Sequence, residues 1–332
     1  MNKEIKKIAI VRLSALGDIV NSAIVLQFIK RFYPLVQIDW FTEETFNSIL
    51  KHNNEISTLY PINLKKIKKE KNFTLLKQQI LQLRSLEDYD LVIDMQGLIK
   101  SAIVARLISK NTHGFDSNST RESLASLLYK TTSHIAYKEN VVKRNCFVVA
   151  DALGFTITDE MLLNKTPIFP VSYDFQLMQD KKNIGFVIGA SWESKIFPKE
   201  KVVDVCNALK EQVYIIWGSE QEKANAKWIE QHCEYATLAP KMQLDELVSF
   251  ISHLDLLIGN DTGPTHMAWA QNIPSITLLG PTTTRMIYET PKNIGIKSPS
   301  KVNILKIDKN DFSIQDIPYE TVVEKAKELL CN

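Results

Sequence analysis

The sequence lacks any apolar run of about 18 residues, the minimum for a membrane-spanning helix, and it passes from lysines straight into a predicted strand. It also lacks the longer apolar core and the cleavage site of a signal peptide. Its four cysteines show neither CxxC nor metal-ligand spacing, which predicts reduced and mostly buried thiols. We therefore expect a cytoplasmic protein that at most touches a membrane surface.

The sequence also lacks an excess of charge of one sign, since it contains 40 basic and 38 acidic residues. The net charge of +2 gives no overall attraction to nucleic acid, so we expect no nucleic-acid partner. The motifs GxGxxG and GxxxxGK[ST] are absent, which disfavours a nicotinamide fingerprint and a P-loop. No HExxH motif, His and Cys cluster or acidic Ca²⁺ loop occurs, so we expect neither a metal site nor a required cofactor.

What the sequence does contain is a regular alternation of short apolar runs with helical patterns. At 332 residues two domains are expected, and the alternation lapses over residues 155–180, which we interpret as a linker. The pattern predicts an α/β fold of two Rossmann-like, doubly wound parallel-sheet domains, 1–165 and 166–332, facing each other across a cleft. The final helix, 318–330, could pack back on the N-terminal domain.

One stretch combines a strand, a small-residue turn and the start of a helix. The apolar strand Leu256 to Ile258 ends in the sequence GNDTG, and a helix is predicted from Pro264. Glycines let backbone amides approach a ligand and a helix N-terminus favours an anion, so this turn suits a phosphate. The alternative is a plain turn capped by Asp261 or Thr262, with His266 packed on the face of the helix.

Three further loops of the same half should open at the same edge of its sheet, because they follow neighbouring parallel strands. They contain glycines, hydroxyl groups, one lysine and acidic side chains that could bind a ribose diol: 190–195, 218–222 and 280–284. Together with the glycine turn they fit a nucleotide diphosphate.

Three features of the first half have two interpretations each. Asp18 follows a glycine and precedes a helix, so it is either an acid of the first turn or a base that takes a proton from a hydroxyl nucleophile. Asp94 at the end of a strand is either a site residue or a cap. The lysine-rich run 65–71 is either a solvated surface or an anion-binding one.

Several segments of the chain resemble the bacterial heptosyltransferases, a family of GT-B glycosyltransferases that use ADP-heptose to build the inner core of lipopolysaccharide. These segments are IAIVRLSALGDIV, YDLVIDMQGLIKSA, GASWESKIFPKEKV, GNDTGPTHMAWA and LLGPT. The resemblance extends over nearly the whole chain.

The resemblance implies roles for individual residues. The family's catalytic base is the aspartate of the first loop's GD pair, here Asp18. Its donor-diphosphate lysine corresponds to Lys195, ahead of Phe197 and Pro198. The remaining donor-binding residues that we expect are Ser191, Glu220, Glu222, Met242, Asp261, Thr262, Gly263, Pro264 and His266. The acceptor-binding residues that we expect are Arg12, Ser14, Gly17, Lys65, Lys66, Lys68, Lys69, Gln96 and Arg121.

The resemblance also implies substrates and location. ADP-heptose is the expected donor, and a Kdo residue of Kdo-lipid A, the acceptor of the first heptose, is the expected acceptor. The reaction should invert the anomeric configuration, and the enzyme should act as a monomer on the cytoplasmic face of the inner membrane. The alternatives are transfer of the second heptose, a binding protein for sugar nucleotides without chemistry, and a nucleotide-dependent oxidoreductase.

Overall fold

The chain folds into two compact units, Met1–Ile168 and Phe169–Asn332. The computed structural model describes residues 5–86 and 88–331. The division between Ile168 and Phe169 falls within the linker expected at 155–180.

The first unit is built on a six-stranded parallel sheet in the order β3-β2-β1-β4-β5-β6. The central strand β1 is the apolar run KIAIV, and four of its five residues are buried, as expected for a parallel sheet covered on both faces. The strands are β1 (Lys7–Val11), β2 (Gln37–Glu43), β3 (Thr58–Ile62), β4 (Leu91–Asp94), β5 (Thr112–Phe115) and β6 (Thr131–Ser133).

Helices cover this sheet. The longest helix, α7, begins at the Asn140 cap, whose side chain accepts from two first-turn amides, and it ends at Gly154 with φ 76°, a left-handed conformation that glycine adopts without a steric penalty. The helices are α1 (Leu16–Ala23), α2 (Val25–Phe32), α3 (Asn47–Leu50), α4 (Leu64–Glu70), α5 (Phe73–Arg84), α6 (Ile99–Ile108), α7 (Val141–Leu153) and α8 (Asp159–Leu163), with 3-10 helices at Glu44–Phe46 and Ser123–Leu128.

The second unit repeats the topology of the first. Its parallel sheet has the order β12-β11-β10-β7-β8-β9, so the first strand of each unit lies between the second and the fourth. This is the 3-2-1-4-5-6 arrangement of a Rossmann fold, which confirms the predicted fold class for each unit. The strands are β7 (Asn183–Val187), β8 (Gln212–Ile216), β9 (Ala236–Leu238), β10 (Leu256–Asn260), β11 (Ser275–Leu279) and β12 (Asn293–Lys297).

The last helix belongs to the core of the second unit. It buries Val322, Ala326 and Leu329 in the cluster that contains the strand residues Ile184 and Ile258. The helices are α9 (Lys199–Leu209), α10 (Glu220–His232), α11 (Leu244–Ser252), α12 (Gly263–Ala270) and α13 (Tyr319–Cys331), with 3-10 helices at Glu193–Lys195, Thr284–Met286 and Ser313–Asp316.

Several local elements differ from what the sequence predicts or were not predicted. The helical spacing of Ile19 to Phe32 predicts one helix, whereas the structure has two that meet at Ile24. The lysine-rich run, for which the sequence analysis gives no secondary structure, forms α4. The sequence predicts a helix that starts near Arg121, whereas the structure has a 3-10 helix that begins at Ser123. The edge strands β6 and β12 were not predicted, because β6 (TTS) contains no apolar residue and β12 (NIGIK) has a glycine between its two isoleucines.

We predict that Gly114→Ala destabilises the first unit. A Cβ atom at Gly114 would lie 2.5–2.8 Å from ring atoms of Tyr129, a buried side chain whose hydroxyl donates to Asp94 Oδ2 at 2.6 Å. Overpacking of this kind costs about 1–3 kcal/mol. Chemical denaturation measures the change, and Ser117→Ala at an exposed position is the control. Equal unfolding free energies of the two variants would show that the Tyr129 ring moves aside without loss of stability.

Candidate functional site

In each unit the strand order reverses between two adjacent strands, β1 and β4 in the first and β7 and β10 in the second. Crevices at the carboxyl ends of such strands are where Rossmann-like domains bind ligands. The segments that leave these four strand ends are therefore the candidate half-sites. They are 12–18 and 95–98 in the first unit, and 188–195 and 261–266 in the second.

The half-site of the second unit is centred on Asp261. Its Oδ2 atom lies 2.9 Å from Lys195 Nζ, and its Oδ1 atom lies 3.2 Å from His266 Nε2. All three side chains are buried. Residues from the 3-10 helix after β7 and from α12 are thus brought together at the edge of the sheet where the sequence predicted that their loops would meet.

The charges in this cluster compensate one another. Burial raises the pKa of Asp261, but the Lys195 ammonium and His266 more than offset this and hold that pKa well below its ordinary value. Asp261 is therefore ionised, and it uses one of the three donor hydrogens that a lysine ammonium carries. The other hydrogens of Lys195 can meet an anionic ligand.

Asn260, which sequence reasoning missed, fixes the spacing between the two loops of this half-site. Its side-chain oxygen accepts from the Phe197 amide at 3.0 Å, and its amide nitrogen donates to the carbonyls of Ile188 and Gly189 at 3.1 and 3.3 Å. The available signal was an asparagine at the end of a buried strand, where its amide must find partners.

The N-terminus of α12 is prepared for an anion. Thr262 is the N-cap, Pro264 lies in the first turn, and the Thr262 side chain makes no capping hydrogen bond within the described ranges. The carboxylate of Asp261 faces Lys195 and His266 instead of capping the helix. The plain capped turn that the sequence allowed is therefore not the structure observed, and His266 is part of the charge cluster.

Two buried hydroxyl groups near this half-site were also missed. Ser194 Oγ and Thr282 Oγ1 are buried and make no hydrogen bond to a described residue. The loop after β11 approaches the one after β7, since a Cβ atom at Gly280 would lie 3.3 Å from the Ser194 carbonyl oxygen. A buried polar group normally has a partner, so these hydroxyls are suited to a bound ligand.

Glu222 joins the loop after β8 to the loop after β7. Its Oε2 atom accepts from the amides of Gly218 and Ser219 at 2.6 and 3.1 Å, and a Cβ atom at Gly189 would lie 2.5 Å from its carboxyl group. The remaining donor-binding candidates are more exposed to solvent than the charge cluster. Glu220 and Ser191 are exposed, and Met242 is half-buried just before α11.

In the first unit, Asp18 lies in the first turn of α1 and both of its carboxylate oxygens are held. Oδ2 accepts from the Ala15 amide at 3.2 Å, and Oδ1 lies 3.0 Å from the guanidinium nitrogen Nη2 of Arg12. The side chain is still 29% exposed. Asp18 therefore caps its helix and remains open to a ligand, so the two interpretations of the sequence are compatible.

Arg12 has a different position from the one expected. It is buried, and its Nη1 atom donates to the Met95 carbonyl while Nη2 pairs with Asp18. Such contacts orient Asp18 and tie β1 to β4. A guanidinium carries five N–H donors, so these two contacts leave donors for the acceptor binding that we expected from the sequence.

Gln96 supports the same loop from β4. Its Oε1 atom accepts from the amides of Leu13 and Ser14 at 2.8 and 3.3 Å, and Lys100 Nζ donates to Ser14 Oγ at 3.1 Å. Asp94 is fully buried and accepts from the Gln96 amide at 2.8 Å. Asp94 therefore shapes the turn ahead of α6 from inside without capping that helix, whose N-cap is Leu98. Gln96 holds the loop of Asp18.

A buried carboxylate at the end of β2 was missed. Glu43 is 2% exposed, and its Oε2 atom accepts from the Lys65 amide at 3.4 Å. Burial raises the pKa of Glu43, and the charges of Lys65 and Lys100 oppose that rise. The other acceptor candidates lie at the surface: Lys66, Lys68 and Lys69 are exposed on α4, Arg121 is exposed ahead of the 3-10 helix, and Gly17 is in the first turn of α1.

No group of three or more His, Cys, Asp or Glu side chains in the part of the chain that the structure describes is arranged to hold a metal ion. No helix within residues 5–86 and 88–331 is long and apolar enough to cross a membrane.

A family model for glycosyltransferase family 9 (heptosyltransferase) matches residues 78–310. The chain belongs to this family. It is 40% identical to lipopolysaccharide heptosyltransferase 1 from Campylobacter coli, over 97% of this chain and 98% of that protein. It is 27% identical to lipopolysaccharide heptosyltransferase 1 from Escherichia coli K12, over 91% of this chain and 96% of that protein. The expected enzyme class, a glycosyltransferase, is confirmed.

Solved structures support the same fold. E. coli heptosyltransferase WaaC with ADP matches with a TM-score of 0.81 at 24% identity, over 97% of this chain and 99% of that one. E. coli ADP-heptose lps heptosyltransferase II matches with a TM-score of 0.70 at 19% identity, over 98% of both chains. The GT-B fold class expected from the sequence is thereby confirmed.

We predict that Asp261→Asn lowers the free energy of unfolding by about 3–5 kcal/mol at pH 7, because it leaves the buried Lys195 without a counter-charge. The ordinary pKa of Asp is about 4 and the folded value is lower, so the contribution of Asp261 is complete above about pH 4 and is lost as the pH falls towards the folded pKa. The difference between wild type and variant should therefore narrow below about pH 4. Chemical denaturation across this pH range measures it.

Asp174→Asn is the matched control, because Asp174 is an exposed aspartate of the same unit, 3.2 Å from His253. It should change stability little at any pH. If the difference in unfolding free energy between Asp261→Asn and wild type stayed constant down to pH 2, the lowered pKa of the Asp261 carboxyl group would be contradicted.

Proposed function

We propose that this heptosyltransferase moves L-glycero-D-manno-heptose from ADP-heptose to a Kdo residue of Kdo-lipid A, with inversion at the anomeric carbon, during synthesis of the lipopolysaccharide inner core. The observation that carries the proposal is the partition of charged groups between the two units. One unit presents a buried lysine beside a helix N-terminus, and the other presents a half-open carboxylate held by an arginine. Relatives named lipopolysaccharide heptosyltransferase 1 support the choice of the first heptosyl transfer.

The second unit would bind the donor. Lys195 and the amides of Thr262 and Gly263 would face the diphosphate of ADP-heptose and stabilise the charge that develops as ADP leaves. Such cationic and amide groups can do this without a divalent metal. Ser191, Glu220, Glu222, Met242 and Pro264 complete the proposed donor site with His266, which can donate to the phosphate or the sugar.

The first unit would activate the acceptor. Asp18 takes the proton from a Kdo hydroxyl, the hydroxyl oxygen forms a bond to the anomeric carbon of heptose, and the bond from that carbon to the diphosphate oxygen breaks on the opposite face. Arg12 holds Asp18 in the required orientation. Because the carboxylate is fixed on one side and exposed on the other, it can meet an incoming hydroxyl without losing its own support.

The acceptor is anionic and anchored in a membrane, and the basic residues of the first unit fit it. Ser14, Gly17, Gln96 and Arg121 lie on the proposed acceptor side, and each basic residue near an anionic surface contributes about 1 kcal/mol. Lys65, Lys66, Lys68 and Lys69 would thus hold the enzyme reversibly at the cytoplasmic face of the inner membrane. We propose that it works there as a monomer.

The proposal is tested by incubating the protein with ADP-heptose and Kdo-lipid A and measuring released ADP together with heptosylated product. Product with inverted configuration supports it. Transfer only to an acceptor that already carries heptose would show an enzyme of the heptosyltransferase II type, and binding of ADP-heptose without ADP release would show a binding protein.

We predict that Asp18→Ala lowers kcat by at least about 100-fold while leaving ADP affinity nearly unchanged, since general-base catalysis contributes roughly 100- to 10,000-fold. Turnover assays and calorimetric titration with ADP measure the two effects. Asp90→Ala is the control for loss of a carboxylate elsewhere in the unit, where Asp90 accepts from the backbone amides of Lys6 and Lys7. Transfer by Asp18→Ala at a rate near that of wild type would refute the base assignment.

We predict the opposite profile for Lys195→Ala. Loss of the ammonium that faces the diphosphate should raise the KM for ADP-heptose and weaken ADP binding, while the KM for acceptor changes little. Steady-state kinetics with each substrate varied in turn measure this. Unchanged donor kinetics would remove Lys195 from the donor site.

A further inference from the structure

The first unit carries an apolar surface that the proposed chemistry does not use. It consists of Ile99 and Ile103 on α6 and Leu124 and Leu127 on the 3-10 helix, and we call these four residues the apolar patch. Their side chains are 38%, 47%, 64% and 78% exposed. Single exposed apolar residues are ordinary, but a contiguous group of large ones marks an interaction surface.

The two elements of the apolar patch are packed together. Ala102 of α6 and Ala125 of the 3-10 helix share a small buried cluster with Tyr129. Ile99 and Ile103 are four residues apart and so lie on one face of α6. Leu124 and Leu127 are three residues apart and so are eclipsed on a 3-10 helix.

Basic side chains border the apolar patch. A groove of about 790 Å³ runs beside Ile103 and is lined by Arg84, Arg106 and Lys110, with Asp88 as the acidic residue among its described lining. Arg121 precedes the 3-10 helix and is exposed. An apolar surface with a basic border matches a membrane whose headgroups are anionic and whose interior is hydrocarbon.

Hydrogen bonds connect the apolar patch to the loop of Asp18. The Ile99 amide donates to Glu122 Oε2 at 2.7 Å, which joins α6 to the start of the 3-10 helix. The next residue, Lys100, donates from Nζ to Ser14 Oγ at 3.1 Å. The apolar patch therefore begins next to the loop that holds the proposed base.

We propose that the apolar patch inserts into the surface of an anionic lipid bilayer and holds the acceptor half-site against the membrane. Inserting Leu124 and Leu127 removes apolar area from water, and the flanking cations meet lipid phosphates. The inference rests on the proposed function for its purpose, because a lipid-anchored acceptor keeps its sugars close to the bilayer. Membrane binding itself requires neither donor nor acceptor.

The first test is co-sedimentation of the full chain with vesicles of phosphatidylcholine, with and without phosphatidylglycerol. Wild type should bind the anionic vesicles, and the double variant Leu124→Gln, Leu127→Gln should bind them at least about tenfold less, since full burial of one such side chain corresponds to roughly a tenfold change or more. Leu35→Gln is the matched control, because Leu35 is an apolar residue of the same unit that is 92% exposed. Binding of the double variant equal to that of Leu35→Gln would overturn the proposal.

The second test reports insertion directly. Leu127→Trp in vesicles with brominated acyl chains should lose fluorescence beyond the loss shown by the protein's own tryptophans, and Leu35→Trp should not. Equal quenching of the two variants would overturn insertion. A wild-type protein that is dimeric in solution, together with a double variant that is monomeric, would also overturn insertion. The apolar patch would then be the contact surface for a second copy of the chain.

The third test separates this inference from the proposed function. The double variant should retain turnover on a soluble Kdo acceptor without acyl chains and lose it on acceptor embedded in vesicles. Equal losses on both acceptors would overturn the docking role, because turnover on a soluble acceptor does not require a membrane. If wild type transfers heptose to neither acceptor, the proposed function fails, while the vesicle and quenching results still decide membrane docking.

Discussion

The buried pair of Lys195 and Asp261 is the interaction on which the second unit depends. Each charge alone would be costly in the interior, and the 2.9 Å contact between them is possible only because β7 and β10 are neighbours and Asn260 binds both loops that follow. The topology of the sheet therefore comes first. The ion pair fixes a lysine at a helix N-terminus, where its remaining hydrogens and the free amides can serve a diphosphate.

The first unit uses the same strand reversal for a different electrostatic purpose. Asp18 is joined to a buried arginine but stays partly open to solvent, whereas Asp261 is closed on all sides by partners. A base must exchange a proton with a ligand, and a carboxylate that positions a lysine must not. The difference in exposure between the two aspartates thus matches the difference in their proposed work.

Much of this could be predicted because parallel sheets have strong local signals. The apolar spacing of residues 244–252 predicts a helix and that of residues 275–279 predicts a strand, and the structure has the helix Leu244–Ser252 and the strand Ser275–Leu279. The position of Asp18 at the start of a helix could be predicted because it follows the loop after the first strand. The strand Thr131–Ser133, the pairing of Arg12 with Asp18 and the role of Asn260 could not be read from the sequence, because each depends on a contact with residues distant in the chain.

The proposed membrane attachment is the feature for which the sequence was least informative, because a run of lysines is easily recognised in a sequence and the exposure of individual leucines is not. Lysine charges attract an anionic surface over about 10 Å but are screened by salt, so alone they give weak and poorly oriented binding. Leu124 and Leu127 act only in contact, and salt does not screen them. Since they lie beside the segment that binds Ser14, attraction by lysines followed by insertion of leucines would fix both the distance and the orientation of Asp18 relative to the lipid anchor of its acceptor.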